Sequence, residues 1–511
     1  MQPITLIGLD GATQKVLDPL FANDELPNLA QISHDGFSGT LYSTVPSRTS
    51  PAIPALYTGC DPSELGFLGF TKPNGDTITI GDIDLPRLWT ILDHHGLRCS
   101  VLNVRTTYPP DNIDGIMISG DPAPGEESDY VHPPEIHDEI GGFRAEELDQ
   151  RRHQDLVPAS EYAEEVTDIS IKILNRRFET FIQLLEENPP SFNMFWIGGS
   201  DFLQHRLWNR RDQIERFYKE ADRLIGRVLN IMEGDVFVVS DHGFSTPSEW
   251  SFHLNEWLFQ SGYLELSGGR IGGQAIRLGQ KFARQYVPSK YLRRILQYQS
   301  GTADSNPDPP WFDRSLKNIP GVKSSSSAQL VSSFGVDVAE KGAERRQVAN
   351  DIISGLESLQ TPTGKHAIKH AWLAEDIYHK GRYSDDLPDV LFQANDGIAI
   401  DPQITNTVFS PHATQRTDHV HAREGIWMGS GPRIEPHAED IDSSIIDVAP
   451  TILHLMEVPV GENMHGSVRS DLLKNDGSPK TEDYQLTLQR QILSGQEQEE
   501  MEEWLSDMGY L

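Results

Sequence analysis

Four apolar runs in this chain end on, or begin beside, a carboxylate or an imidazole. Ile-Thr-Leu-Ile-Gly-Leu runs into Asp10, and Phe-Asn-Met-Phe-Trp-Ile-Gly-Gly-Ser runs to Asp201. Val-Phe-Val-Val-Ser runs into Asp241 and His242, and His421 stands just ahead of Gly-Ile-Trp-Met. In an open α/β sheet, ligands bind outside the carboxyl ends of the strands. Residues at several such ends therefore meet at one place although they lie far apart in the chain. Three carboxylates with His205, His242 and His421 suit two divalent cations, and mixed imidazole and carboxylate ligands favour zinc over manganese or iron.

The pattern between these runs sets the fold class. From Met1 to about Phe252, apolar runs alternate with helical patterns, the signature of a largely parallel sheet sandwiched by helices. Leu-Pro-Arg-Leu-Trp-Thr-Ile-Leu predicts a helix and Cys-Ser-Val-Leu-Asn-Val the strand after it; Glu215 to Met232 predicts a helix leading into Asp-Val-Phe-Val-Val-Ser. Beyond His253 the texture changes, and residues 256–365 are expected to form an inserted smaller cap lobe. Its basic stretch from Arg277 to Tyr298 reads either as a solvated helix face or as a cap that steers an anionic substrate. The sheet is expected to resume near Pro-Asp-Val-Leu-Phe-Gln, so residues 1–255 and 366–475 form the core. An acidic helical tail, 476–511, then docks through Trp504, Leu505 and Leu511.

Charge narrows the partners. The 511 residues carry 76 acidic and 43 basic side chains, a formal charge of −33. Such an excess repels nucleic-acid phosphate and anionic lipid, which excludes nucleic-acid polymers and membranes as expected partners. It is what a salt-adapted, halophilic cytoplasmic protein shows; an acidic protein of ordinary habitat is the plainer alternative. Two cysteines, Cys60 and Cys99, cannot build a disulfide framework or a zinc–thiolate site and read as reduced thiols. With no secretory pattern at the start and no long apolar run, a cytoplasmic location is expected. Oligomeric state is not legible.

Taken singly, the site motifs are weak. Asp201 and His205 are four apart, so one helical turn puts both on one face. An adjacent Asp241 and His242 reads equally well as a helix cap beside a core histidine. Their order, each at a strand terminus, is what makes the joint signal strong. A nucleophile is still needed, and the segment from Thr44 to Phe67 offers Thr44, Ser47, Thr49 and Ser50.

Here the chain resembles the alkaline phosphatase superfamily, in particular its type I phosphodiesterase/nucleotide pyrophosphatase-like members and the predicted phosphohydrolase/phosphomutase branch. In that family the nucleophilic Thr or Ser precedes a Thr-Gly by nine residues, followed by Pro and Gly in the pattern TGxxPxxxG. Thr58-Gly59, Pro62 and Gly66 match, and nine residues back stands Thr49. The resemblance implies an alkaline phosphatase-like core and two metals. Asp10, Thr49, Asp241 and His242 would hold one, and Asp201, His205 and His421, four before Gly425, the other. Pro46-Ser47-Arg48 echoes a sulfatase signature, but that frame makes Thr44 the nucleophile, fourteen before Thr-Gly, and a threonine cannot become formylglycine. His419, two before His421, reads as a partner of the ligands rather than a ligand.

The chain departs from the diesterase pattern at one position. Those enzymes place an Asn twenty-one residues after the nucleophile to hold a phosphoryl oxygen, and this chain has Phe70. The pocket loses that donor, and an aromatic there offers a face to stack on a base or sugar. The expectation is a two-metal phosphohydrolase acting through a phosphothreonine on a small phosphate ester or anhydride. A phosphomutase on the same site and an inactive metal-binding scaffold are the alternatives.

Overall fold

The computed structural model describes residues 2–71, 76–125, 127–138, 140, 143, 159–187, 189–266, 326–332, 334–412, 421–436, 438–474, 477–486, 488 and 493–508. Two compact units divide the chain. The first comprises Met1–Phe70, Asp76–Ser245 and His421–Leu511, and the second Thr71–Gly75 and Thr246–Val420. The second unit is thus longer than the lobe expected at 256–365, and the C-terminal tail belongs to the first.

The first unit is built on a nine-stranded sheet. In chain order its strands are β1 (Ile4–Leu9), β2 (Phe37–Tyr42), β3 (Cys99–Val104), β4 (Gly115–Ser119), β5 (Val131–His132), β6 (Phe192–Ile197) and β7 (Asp235–Val239), then Glu424–Ser430 and Ala438–Ser444. β1 sits at the centre, parallel to β7 on one side and to β6 on the other; β3 and β4 follow beyond β6. Every residue of β1, β6 and β7 is buried. That is why these runs read as continuously apolar rather than alternating, as strands covered on both faces do.

Alternate residues of each strand face opposite layers. Ile7, Leu9, Phe195 and Ile197 share one core with Phe178, Phe181, Leu224 and Ile225 from helices Ala159–Glu187 and Arg211–Ile231. Ile4 and Leu6, on the other face, are equally buried. Helices Thr49–Thr58, Leu88–His94 and Val448–Leu455 pack on one another.

Glu424–Ser430 runs antiparallel to both β2 and β7. Its beginning therefore lies at the carboxyl edge of its neighbours, and His421, three residues earlier, is delivered to that edge. His421 and Ala422 pair antiparallel with Phe244 and Gly243, just past the end of β7. Ser240 ties this corner together: its hydroxyl donates to Ala12 O at 3.2 Å and accepts from the Ile426 N–H at 2.8 Å.

The expected return to the main sheet at Pro388–Gln393 does not occur. Val390–Ala394 lies in the second unit, in a four-stranded antiparallel sheet with Gly335–Val338, Ala328–Ser332 and Ile368–Leu373. A short apolar run specifies a buried strand but not its partner, and here the partners are local. Phe252, Leu258, Val336, Ile352 and Phe392 give this unit its own core. The basic stretch 277–298 lies outside the described residues, as do His419 and Leu511. Among the described residues no helix is long and apolar enough to cross a membrane.

Because Ser240 satisfies a buried N–H on one side and a carbonyl on the other, Ser240→Ala should cost about 1–3 kcal/mol. The measurement is a denaturant titration, and a midpoint equal to wild type would show that the corner does not depend on this hydroxyl.

Candidate metal and phosphoryl-transfer site

The expected ligands all come from the first unit and meet at the carboxyl edge of its sheet. Asp10 follows β1 directly, and Asp241 and His242 follow β7. Asp201 is not at the end of β6 but in the first turn of helix Gly199–Leu207, which also carries His205 one turn on. Thr49 opens helix Thr49–Thr58, whose far end is capped by Gly59 in the left-handed conformation (φ 67°). Asp61 then caps helix Pro62–Leu65 by accepting from Ser63 N at 2.9 Å, and Gly66 ends it. The TGxxPxxxG pattern is thus a helix stop, a helix start and a second stop, which fix the helix that presents Thr49.

Two clusters form. In the first, Asp10, Asp241 and His242 are fully buried, and Thr49 nearly so. Thr49 Oγ1 lies 3.2 Å from His242 Nε2. His242 Nδ1 is 3.0 Å from Gly243 O, so the N–H donates there and Nε2 presents its lone pair. The two carboxylates are held alike, by one oxygen each. Asp241 Oδ1 accepts from Gly11 N at 3.2 Å, and Asp10 Oδ2 accepts from Trp196 Nε1 at 3.1 Å and pairs with Arg105 Nε at 2.7 Å. Trp196 reaches Asp10 because its indole lies over Gly8, its cross-strand partner, where any Cβ would collide with the ring. The remaining oxygens, Asp10 Oδ1 and Asp241 Oδ2, are buried without a hydrogen-bond partner. They stand 3.8 and 3.2 Å from His242 Nε2.

In the second cluster, Asp201 Oδ1 lies 3.3 Å from His205 Nε2 and 3.4 Å from His421 Nε2. The two imidazole nitrogens are themselves 2.8 Å apart. His421 Nδ1 donates to Ser47 O at 3.0 Å, which again turns Nε2 inward as an acceptor. The clusters touch: the His242 and His421 rings stack, centroids 3.7 Å apart and planes 13° from parallel.

The electrostatics follow from this crowding. Burial pushes Asp10 well above the usual carboxylate range, and the charge of Asp241 adds to it. Burial and the charge of Asp201 push Asp241 up to about 7. Burial opposes ionisation of Asp201 too, but the charge and hydrogen bond of His205, with a smaller contribution from His421 when it carries a proton on Nε2, outweigh it and hold that carboxyl well below its ordinary value. Burial lowers His242 and His421, favouring neutral imidazole, the form that ligates. Orphaned carboxylate oxygens beside inward-facing imidazole lone pairs fit divalent cations. Asp10, Asp241 and His242 form one potential metal-holding group, and Asp201, His205 and His421 another.

The other expected residues have plainer places. The Thr44 hydroxyl donates to Pro46 O at 2.7 Å, and Ser47 Oγ donates to Thr44 O. Phe70 is covered by Trp504 and Leu505, so the stacking face expected of it does not exist. Sequence reasoning missed Arg105 and Trp196. Nothing in their local sequence marks them, because each meets Asp10 only through strand pairing.

The profile of the type I phosphodiesterase/nucleotide pyrophosphatase family matches residues 4–427. The chain belongs to that family and has an alkaline phosphatase-like fold; it is a phosphoric ester hydrolase of a family that uses divalent metals. Among solved structures it is similar to phosphonoacetate hydrolase from Sinorhizobium meliloti 1021, solved with phosphonoformate. Identity is 13% and the TM-score 0.51, over 88% of this chain and 94% of that one. It is also similar to human ectonucleotide pyrophosphatase/phosphodiesterase 5, at 12% identity and a TM-score of 0.46, over 93% of this chain and 100% of that one. No curated protein sequence matches it.

Raised carboxylates make the metal-free site a stability liability with a defined sign. Asp10 and Asp241 bind protons more tightly folded than unfolded, so their stabilising effect is full below the ordinary carboxylate range and declines as pH rises; for Asp241 it is lost as pH rises through about 7. Burial of His242 and His421 acts in the opposite direction over part of this range, so the comparison is between wild type and Asp241→Asn. In chelator, the wild-type melting temperature should fall relative to that of Asp241→Asn from pH 5 to pH 8, with the variant above wild type at pH 8. A wild type that gains on the variant over this range contradicts the assignment.

Proposed function

We propose that this chain is a two-metal phosphohydrolase that uses Thr49 as nucleophile on a small phosphodiester or phosphoanhydride. The observation that carries the reading is the position of Thr49 Oγ1, 3.2 Å from His242 Nε2, the same nitrogen that faces the two buried carboxylate oxygens that have no partner. A hydroxyl buried among carboxylates and imidazoles has no packing reason to be there. Asp10, Asp241, His242 and Thr49 would hold one ion, and Asp201, His205 and His421 the other. When bound, the ions supply the lowered hydroxyl pKa and the charge neutralisation that a threonine nucleophile needs at neutral pH.

The chain's own part is positioning. Helix Thr49–Thr58 aims the hydroxyl, and the Nδ1–H bonds to Gly243 O and Ser47 O fix His242 and His421 in the tautomers that face inward. Thr49 Oγ forms a bond to phosphorus as the bond to the leaving oxygen breaks, giving phosphothreonine and the free alcohol or phosphate. Water then attacks phosphorus from the vacated side and returns the Thr49 hydroxyl. The choice of diester or anhydride rests on family membership. The acidic chain, at −33, favours small substrates over DNA or RNA. Zinc is the ion proposed, from the mixed imidazole and carboxylate set.

Thr49→Ala should lose several orders of magnitude in turnover and Thr49→Ser should keep a measurable fraction, while Thr44→Ala stays mild. A near-normal Thr49→Ala would remove the nucleophile. The substrate half is tested with zinc- or manganese-loaded protein on matched aryl mono- and diesters, a nucleotide anhydride and single-stranded DNA. Diester or anhydride turnover should exceed monoester turnover, with no DNA cleavage; a monoester cleaved as fast as its diester overturns that half. If the acidic surface is a salt adaptation, activity should persist at molar salt, where screening relieves self-repulsion.

A further inference from the structure

Arg105 touches the site but has no place in the chemistry above. Its guanidinium Nε pairs with Asp10 Oδ2 at 2.7 Å, and both side chains are buried. That contact occupies the oxygen of Asp10 that faces away from His242, and it leaves Oδ1 as the oxygen turned toward the cluster. A carboxylate with one oxygen fixed by its surroundings and the other free for a cation is oriented for single-oxygen ligation. Loss of such a supporting contact typically costs about 10–100-fold in metal affinity.

The chain goes to some length to place Arg105. It follows β3, and residues on both sides of it adopt left-handed backbone: Asn103 at φ 59° and Thr106 at φ 62°. Asparagine tolerates that region, but for a β-branched residue it is a genuine outlier. Outliers of this kind persist only where the surroundings enforce them, and they gather at functional sites. The Asn103 side chain donates to Trp196 O at 2.7 Å, and Thr106 N donates to Asp121 O at 2.9 Å, which holds both turns. Gly198 leaves the room the guanidinium needs, since a Cβ there would stand 2.9 Å from Arg105 Nη2.

A third support comes from the far end of the sequence. Trp504 of the C-terminal helix Gly495–Met508 lies against Arg105, with the guanidinium carbon 5.8 Å from the ring centroid, within cation–π range. Trp504 and Leu505 also cover Phe70. The helix is fastened to the loops that follow β3 and β4. The Tyr108 hydroxyl donates to Glu497 Oε1 at 2.5 Å, and Gly125 N donates to Glu500 Oε2 at 2.9 Å.

We propose that Arg105 is a positioning residue for Asp10 and that Trp504 holds it there, so that the C-terminal helix completes the metal site of Asp10, Asp241 and His242. The proposal rests on the two-ion reading above and adds a support that no ligand motif contains. Arg105 fixes the orientation of Asp10, and Trp504 limits the orientations open to Arg105. Neither touches the Asp201, His205 and His421 cluster through any of these contacts, so the effect should be confined to one ion.

The test is metal affinity, read by competition with a chromogenic chelator on the purified full chain loaded with zinc, together with ion count and melting temperature. Wild type should retain two ions. Arg105→Gln should weaken one of them by about 10–100-fold and leave the other unchanged. Arg105→Lys, which keeps a cation and an N–H for Asp10, should recover part of the loss. Trp504→Ala should weaken the same ion, and Trp504→Phe, which keeps an aromatic face, should restore it. Should Arg105→Gln fail to fold, Arg105→Lys still decides, because it should weaken one ion alone; should Trp504→Ala fail, Trp504→Leu, which keeps bulk without an aromatic face, should do the same. In these variants a binding constant shifted for both ions alike or for neither overturns the proposal. Two ions held with wild-type affinity in Arg105→Gln overturn this inference alone. A wild-type chain that binds no zinc overturns it together with the two-ion reading.

Discussion

Three carboxylates, Asp10, Asp201 and Asp241, are buried completely at one edge of one sheet. Ionised groups do not stay in such a place uncompensated: they neutralise, pair or bind metal. The protein does not use one answer for all three. Asp201 is paired with two imidazoles and stays ionised, while Asp241 drifts toward neutrality and Asp10 does so even with Arg105 beside it. The one-oxygen tethers on Asp10 and Asp241 keep the unsatisfied oxygens aimed at His242 rather than letting them turn away.

Everything else in the first unit serves to make that crowding possible. β1 lies between β6 and β7, so the acids that follow these three strands meet although Asp10 lies far from the other two in sequence. The antiparallel run of Glu424–Ser430 brings the start of a strand, and with it His421, to an edge where its neighbours end. The stacked rings of His242 and His421 then join the two clusters into one site.

The sequence showed the groups whose signal is local. Asp10 and the Asp241–His242 pair are visible because an apolar run stops on them, and Asp201 with His205 because helical spacing aligns them. Thr49 needed the family pattern, whose glycines and proline prove to be helix punctuation. The strand Val390–Ala394 was legible as a strand but not as a member of the right sheet, since pairing is decided by segments elsewhere in the chain. Phe70 went astray for the same reason: the residues that cover it lie more than four hundred positions away, in a helix whose acidic sequence announces only that it is a helix. Arg105 is a single basic residue in a loop, and its meaning exists only once β3 stands beside β6 and β6 beside β1.

The balance of charge also bears on the order in which such a site is filled. A phosphate group approaching the Thr49 hydroxyl meets Asp10, Asp201 and Asp241, with Arg105 committed to Asp10 by its ion pair. Without cations the site holds one ionised carboxylate, Asp201, and two that burial drives toward neutrality, so it offers an anionic substrate no net positive charge. The −33 of the whole chain adds a repulsive field outside it. Protonation of Asp10 and Asp241 eases the repulsion within the site, but in that form they are not ligands. Under the proposed function, therefore, phosphate binding and metal binding are not independent. Each ion neutralises the charge that would exclude the substrate, so affinity for a phosphate ester in the metal-free chain should be low for electrostatic reasons alone, even with Thr49 correctly placed. By linkage, a bound phosphate should in turn tighten both ions.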